Sequence, residues 1–165
     1  MVIALILVLA LPATSNASND LGHTAGPNST VTFLQDNLTS SVHSAFHWND
    51  TNNVEPLDVT TILYHGGRDR EVNVHDNDYG DVSWAGRWWC SGWDATFTIC
   101  WFGEVQIDLV NGVPPSGSYA DHLLCHEIGH ALGLAHTSNS SCMNTSATHI
   151  RWYSAHDKAI LNTKY

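Results

Sequence analysis

The sequence predicts a single α+β domain with a mixed, twisted sheet whose main strands are preceded by one helix and followed by two. Three observations carry this prediction. Residues 38–48 place apolar side chains at helical spacing, residues 59–64 are rich in β-branched residues, and residues 118–132 form an apolar helix that bears histidines. The chain has 165 residues, which suits one domain, and roughly two thirds of the unfolded surface is buried at this size.

The first residues resemble a secretory signal peptide. Val2–Leu11 is an almost unbroken apolar run, and it is shorter than the roughly 20 residues that a membrane-spanning helix needs. Ser15-Asn16-Ala17 is similar to a small-x-small cleavage site, although no Lys or Arg precedes the run. We therefore predict a signal peptide over residues 1–17, a secreted protein and no stable membrane insertion; an uncleaved anchor or a misassigned start is the alternative.

The remaining elements follow in order. Polar residues 18–30 show no periodicity and predict a loose lead-in to a domain over residues 31–165. The predicted strands are Val31–Leu34, Val59–Tyr64, Val72–His75, Thr96–Phe102 and Glu104–Val110, and the predicted helices are Leu38–Trp48, Ser118–Leu132 and one that begins near Ser154. Asn111-Gly112 and Pro114-Pro115 break the chain before the second helix. Ser154 and Asp157 have the spacing of a capping box, with Asp in place of Glu.

The charge of the chain limits its partners. Six Lys and Arg residues against 16 Asp and Glu residues give a formal net charge of −10. Neutralising phosphates requires basic groups, so nucleic acid is not expected as a partner, and binding to an anionic membrane surface is disfavoured. We expect an acidic monomer.

Four cysteines, Cys90, Cys100, Cys125 and Cys142, are an even number in a small exported domain, which indicates two disulfides. Three pairings are possible. The two local ones, Cys90–Cys100 and Cys125–Cys142, are favoured.

The stretch CHEIGHALGLAH, Cys125 to His136, places titratable groups on an apolar helix. Because each residue turns a helix by about 100°, His126 and His130 lie within about 40° of each other, and Glu127 lies about 60° from His130. Two imidazoles at i and i+4 can chelate one zinc ion. Gly133 suits the left-handed conformation that ends a helix, so the chain can return His136 as a third ligand.

Three neutral imidazoles leave the fourth position of a zinc ion open for water, as a catalytic site requires. Glu127 would then act as the general base that takes the water proton and passes it to a leaving amine. The alternative is a core helix whose histidines are satisfied by hydrogen bonds. H-E-x-x-H alone is only suggestive, whereas the extended pattern H-E-x-x-H-x-x-G-x-x-H fixes five positions and is far more specific.

At these residues the sequence resembles the metzincin zinc endopeptidases, and most of all the matrixin branch and its small secreted microbial relatives. The resemblance implies a Met-turn beneath the metal, for which Met143, seven residues after His136, is the candidate. It also implies that Ser154 opens the helix that closes the catalytic domain. It is firm over residues 119–165 and weak before them. A Cys125–Cys142 disulfide would tie the active-site helix to the residue before Met143.

The sequence also departs from the family. No cysteine-switch prodomain of the matrixin kind is visible, and Thr145 stands where astacin and serralysin relatives place a zinc-binding Tyr. The run from His75 to Asp81 contains carboxylates and carbonyls that suit calcium, but it does not clearly reproduce the matrixin pattern, and a solvated turn is the simpler interpretation. Tyr119 and His149 are close to the site in sequence and are candidates for substrate contact, with a structural role as the simpler interpretation for both.

Overall, the resemblance implies a secreted zinc endopeptidase that hydrolyses internal peptide bonds of protein or peptide substrates. A second hypothesis is a non-catalytic zinc-containing binding or adhesion module, which the retained Glu127 disfavours. A third is a protein in which zinc only holds the fold, which three histidines with an open fourth position disfavour.

Overall fold

The structure is a computed structural model of the chain, and it describes residues 19–35, 37–66, 71–109, 116–146 and 149–165. The predicted signal peptide over residues 1–17 lies outside the described residues. No helix within the described ranges is long and apolar enough to cross a membrane.

Six strands and three α-helices make up the described fold. They are β1 Thr24–Ala25, β2 Thr30–Leu34, α1 Ser40–Asn49, β3 Thr60–Tyr64, β4 Val72–Asn77, β5 Gly86–Trp93, β6 Ile99–Asp108, α2 Gly117–Ala131 and α3 Ala155–Lys164. A π-helical turn, Asp50–Val54, extends α1. The predicted mixed sheet and the three helices are therefore confirmed.

The sheet runs in the order β3, β2, β4, β6, β5. All of its strands are parallel except β5, which pairs with β6 in the antiparallel sense. The short strand β1 pairs with the start of β6. Cys100 of β6 pairs with Ala25 of β1 on one side and with Trp93 of β5 on the other. β1 therefore lies on the same side of β6 as β4, which pairs with a later part of β6. The outermost strand next to β6 is therefore the antiparallel one.

Two strand predictions differ from the structure. Residues 96–102 and 104–110 were predicted as separate strands, but β6, Ile99–Asp108, is one strand of ten residues that includes Gly103. Gly103 is needed inside it, because a Cβ there would lie 3.1 Å from the Glu71 carbonyl oxygen, which accepts the Gly103 N–H. The sequence analysis also missed β5, whose three tryptophans stand among Gly, Cys and Ser residues of modest strand propensity.

The core lies between one face of the sheet and the helices. α2 packs against α1 and against β5 and β6. The sheet contributes fully buried valine and isoleucine side chains, and the helices contribute Phe46, Leu124 and Ile128. Burial of these side chains fixes which face of α2 is turned inward, and so which face carries the histidines.

The two disulfides are Cys90–Cys100, which joins β5 to β6, and Cys125–Cys142, which joins α2 to the loop after it. Both are the local pairings that the sequence analysis favours. The capping box at α3 is also present: the Asp157 N–H donates to the Ser154 hydroxyl, and the Ser154 N–H donates to the Asp157 carboxylate.

Candidate metal centre and active site

Three histidine nitrogens converge at the end of α2. The Nε2 atoms of His126, His130 and His136 lie 3.0–3.1 Å from one another. Among the described residues, these three form the group of His, Cys, Asp and Glu side chains whose ligand atoms all lie within 4.8 Å of each other. The structure thus brings together the three residues that the sequence predicts as ligands.

The hydrogen bonds of these rings fix their tautomers. His126 Nδ1–H donates to the Cys142 carbonyl at 2.8 Å, and His130 Nδ1–H donates to the Leu134 carbonyl at 2.7 Å. A neutral imidazole that donates from Nδ1 has a lone pair on Nε2, so at least two lone pairs point at each other across 3.1 Å. Two lone pairs repel at that distance, and a cation between them removes the repulsion.

The donor set is compatible with a zinc ion. Nitrogens at roughly 2.0–2.1 Å from a tetrahedral zinc ion are about 3.3 Å apart, close to the separations found here. Burial, together with the neighbouring imidazoles, lowers the pKa of both His126 and His130 to about 4. Both rings are therefore neutral at pH 7, which is the form that ligates metals.

Gly133 allows the chain to turn back toward the helix. Its φ is +98°, and a Cβ there would lie 2.1 Å from the His23 carbonyl oxygen. The turn is closed by the Leu134 N–H, which donates to the Gly129 carbonyl at 2.8 Å. The sequence-based assignment of a left-handed glycine agrees with this geometry, and the turn is what delivers His136 to the other two rings.

Met143 forms the floor beneath α2. It is fully buried in a tight turn in which the Asn144 N–H donates to the Ser141 carbonyl. A Cβ on Gly129 would lie 2.3 Å from the Met143 sulfur, so the methionine packs directly against the helix between the two ligands His126 and His130. The sequence analysis did not identify Gly129, whose only signal is its position inside the H-E-x-x-H pattern.

Glu127 lies beside the ligands and is 4% exposed. Its carboxylate accepts a hydrogen bond from the backbone N–H of Trp88, and burial raises the pKa of Glu127 to about 8. A Cβ on Gly86 would lie 2.9 Å from the Glu127 side chain. The first residues of β5 therefore hold this carboxylate by close backbone contact.

A pocket of about 400 Å³ opens next to Glu127 and His126. One wall is the segment before β5, residues 83–86, and the other is α2, which contributes Tyr119, His122 and Leu123. Tyr119, which the sequence analysis weighed as a substrate contact, thus lines the pocket, whereas His149 does not belong to its lining. Thr145 completes the rim.

His23 is a site residue that the sequence analysis missed. Its ring is 4% exposed, stacks on Trp88 at 4.6 Å, and donates from Nε2 to the His130 carbonyl at 3.0 Å. It contacts both the strand that holds Glu127 and the helix end that carries His130. No local pattern could have identified it, because its partner lies 107 residues away.

The segment that includes His23 is well bonded. It was predicted as a loose lead-in, but the Leu21 N–H donates to the Gly133 carbonyl, the Ala135 N–H donates to the Asn19 carbonyl, and Lys164 forms an ion pair with Asp20 at 2.6 Å. Residues 19–25 are thus tied to the turn that carries His136.

The carboxylates of the predicted calcium run are engaged with nearby backbone. Asp76 accepts the Thr39 N–H at 2.8 Å, and Asp78 accepts the Gly80 N–H at 2.9 Å. The run begins in β4, which ends at Asn77, and continues as a turn; a calcium ion there remains an untested possibility.

Without metal, the stability of the protein should pass through a maximum near pH 6.5. His126 and His130 bind protons near pH 6.5 in the unfolded chain and only near pH 4 in the folded chain. Protonation of either histidine therefore favours unfolding as the pH falls from 6.5 to 4. Glu127 binds its proton more tightly when folded, between pH 4.5 and 8, so it favours unfolding as the pH rises. The net effect is about 1 kcal/mol per pH unit on each side. Urea unfolding in chelator checks this curve. Glu127→Gln should remove the alkaline decline and steepen the acid one, because Glu127 opposes the two histidines between pH 4.5 and 6.5.

No protein-family model matches the chain, and no curated protein matches it by sequence. Solved structures do match. A crystal structure of myroilysin superposes with a TM-score of 0.60 at 16% identity, covering 98% of this chain and 99% of that one. A second myroilysin structure gives a TM-score of 0.49 at 16% identity, covering 71% of this chain and 54% of that one. The first likeness shows that the chain has a metallopeptidase-like fold, and at this identity it shows the fold alone.

Proposed function

We propose that this chain is a secreted zinc-dependent endopeptidase of the metzincin type. The observation that carries the proposal is the triangle of Nε2 atoms from His126, His130 and His136 with the buried carboxylate of Glu127 beside it. The metallopeptidase-like fold supports it, as does the Met143 turn beneath the ligands.

In this proposal the three histidines hold one zinc ion. A bound zinc ion supplies Lewis acidity toward water and toward a substrate carbonyl. Glu127 takes the proton of the attacking water and transfers it to the leaving amine. Its raised pKa, about 8 without metal, means that it holds a proton readily, which suits the second of these transfers. The Trp88 N–H orients the carboxylate for both.

The substrate would bind as an extended peptide along β5. This strand is the outermost one next to β6, and its first residues flank both Glu127 and the pocket. A peptide backbone can extend a sheet edge by main-chain hydrogen bonds while alternate side chains enter pockets. The pocket beside Tyr119 and His122 would then take one substrate side chain.

Two disulfides support a location outside the reducing cytosol. Together with the predicted signal peptide over residues 1–17, they favour secretion. The competing hypothesis of a zinc-bearing binding module has the same metal site, and only turnover separates the two.

Removing the metal should abolish cleavage. We expect the purified protein to contain one zinc per chain and to hydrolyse an unfolded protein substrate. A chelator should reduce the rate to background because the proposed chemistry needs a Lewis acid, and one equivalent of zinc should restore it. Metal analysis and a peptide-release assay check this. Zinc at one equivalent without turnover on any peptide library would favour the binding module, and cleavage that persists without bound metal would exclude the site.

A further inference from the structure

A second histidine cluster lies on the opposite side of α1 from the core. His43 and His47 are one turn apart on α1, and His65 directly follows β3. The rings of His43 and His47 are 4.5 Å apart, and those of His43 and His65 are 6.2 Å apart. All three side chains are at least partly exposed.

The His43–His47 pair has the spacing of the His126–His130 pair in α2, although the two rings are inclined at 57° and not at 90°. His126 and His130 have the same i, i+4 spacing, and their rings are 4.6 Å apart. Among the described residues none is seen to hydrogen-bond to the imidazole nitrogens of His43, His47 or His65, so their lone pairs are available. Imidazole nitrogens suit Zn²⁺, Ni²⁺ and Cu²⁺.

The charge around the cluster also favours a cation. Asp50 lies three residues after His47 and interacts electrostatically with it. The Asp50 side chain is 5% exposed, and its Oδ1 has no hydrogen-bond partner. A buried carboxylate oxygen without a donor gains energy from a positive charge placed nearby.

We propose that His43 and His47 chelate a second transition-metal ion, with His65 as a third ligand. His65 is farther from its neighbour than the 4.6–5.0 Å found in the first group, so its exposed side chain must shift toward the ion. The bound ion would join α1 to the end of β3, the strand at the edge of the sheet. This site is independent of catalysis and binds more weakly than the first, because it offers at most three partly exposed ligands and needs one of them to move.

Zinc binding to protein that already carries one equivalent tests this proposal. Isothermal titration at pH 7.5 should show one further equivalent with a micromolar dissociation constant, and that equivalent should raise the melting temperature. The variant His43→Gln/His47→Gln should weaken this second binding at least tenfold and leave the first equivalent unchanged. His65→Gln should weaken it less, and His149→Gln/His156→Gln is the matched control.

The melting temperature of each variant in chelator establishes that it is folded. Two results would overturn the proposal. One is a second zinc equivalent that binds equally well to the His43→Gln/His47→Gln variant. The other is that no second equivalent binds to the unchanged protein below about 1 mM zinc, a concentration that corresponds to weak binding. Failure of the proposed peptidase activity leaves this titration unaffected, since it measures metal and not turnover.

Discussion

Glu127→Gln should reduce peptide hydrolysis by a factor on the order of 10³, within the range that a general base contributes. Glutamine has nearly the same shape and still accepts the Trp88 N–H that now holds the carboxylate. It cannot accept the water proton, so only the proton transfers are lost. The rate constant for cleavage of a fluorogenic peptide, measured with zinc at one equivalent, checks the prediction.

The variant should retain its metal, because Glu127 is not one of the three converging nitrogens. Glu55→Gln, which changes an exposed glutamate at the end of the π-helical turn after α1, is the matched control and should cleave like the unchanged protein. Undiminished cleavage by Glu127→Gln would remove this residue from the role of base. Loss of zinc from the variant would instead assign Glu127 to the metal.

Gly133→Ala should destabilise the protein by roughly 3–5 kcal/mol, in the range of severe single substitutions. The alanine must adopt a φ near +98°, and its Cβ would lie 2.1 Å from the backbone oxygen of His23. Backbone cannot move aside as a flexible side chain can, so either the turn or residues 19–25 must shift. Displacing the turn also displaces His136, and we expect zinc affinity to fall together with stability.

Gly80→Ala separates the cost of the positive φ from the cost of the close contact with His23. Gly80 also has a positive φ, +79°, but no atom lies within 4 Å of the Cβ position. Its substitution should cost only the conformational strain, about 1 kcal/mol, without loss of zinc. Urea unfolding and metal analysis of both variants check the prediction. If both variants are equally stable, the close approach of His23 to the turn is not a determinant of the fold.

The metal ligands were predictable because they lie within eleven residues on one helix and its following turn. The periodicity of an α-helix fixes where His126, Glu127 and His130 point, and the Gly133 conformation follows from its lack of a Cβ. The same holds for the α3 capping box, in which Ser154 and Asp157 are three residues apart. The residues of each of these features are close together in sequence, so local helix and turn geometry determines where their side chains lie.

Other parts of the site depend on contacts that span the chain. Trp88 donates its N–H to Glu127 from β5, a strand that the sequence analysis missed. Gly103 joins the two predicted strand segments, and its partner, the Glu71 carbonyl, lies just before β4. His23 lies in a polar stretch without periodicity, yet it contacts a residue more than a hundred positions later. Only the folded topology places such residues together.

The order of folding depends on contacts between distant parts of the chain. Asp20 pairs with Lys164, and residues 19–23 bond to the Gly133 turn. These contacts close loops of more than a hundred residues, and closures of this length are slow compared with helix formation. The helix that carries His126 and His130 can therefore form early, whereas the contacts that residues 19–23 make with the turn before His136 form only when both ends of the described chain have met. In the proposed peptidase, full metal affinity would then come late in folding, and a partly folded chain would not cleave its neighbours.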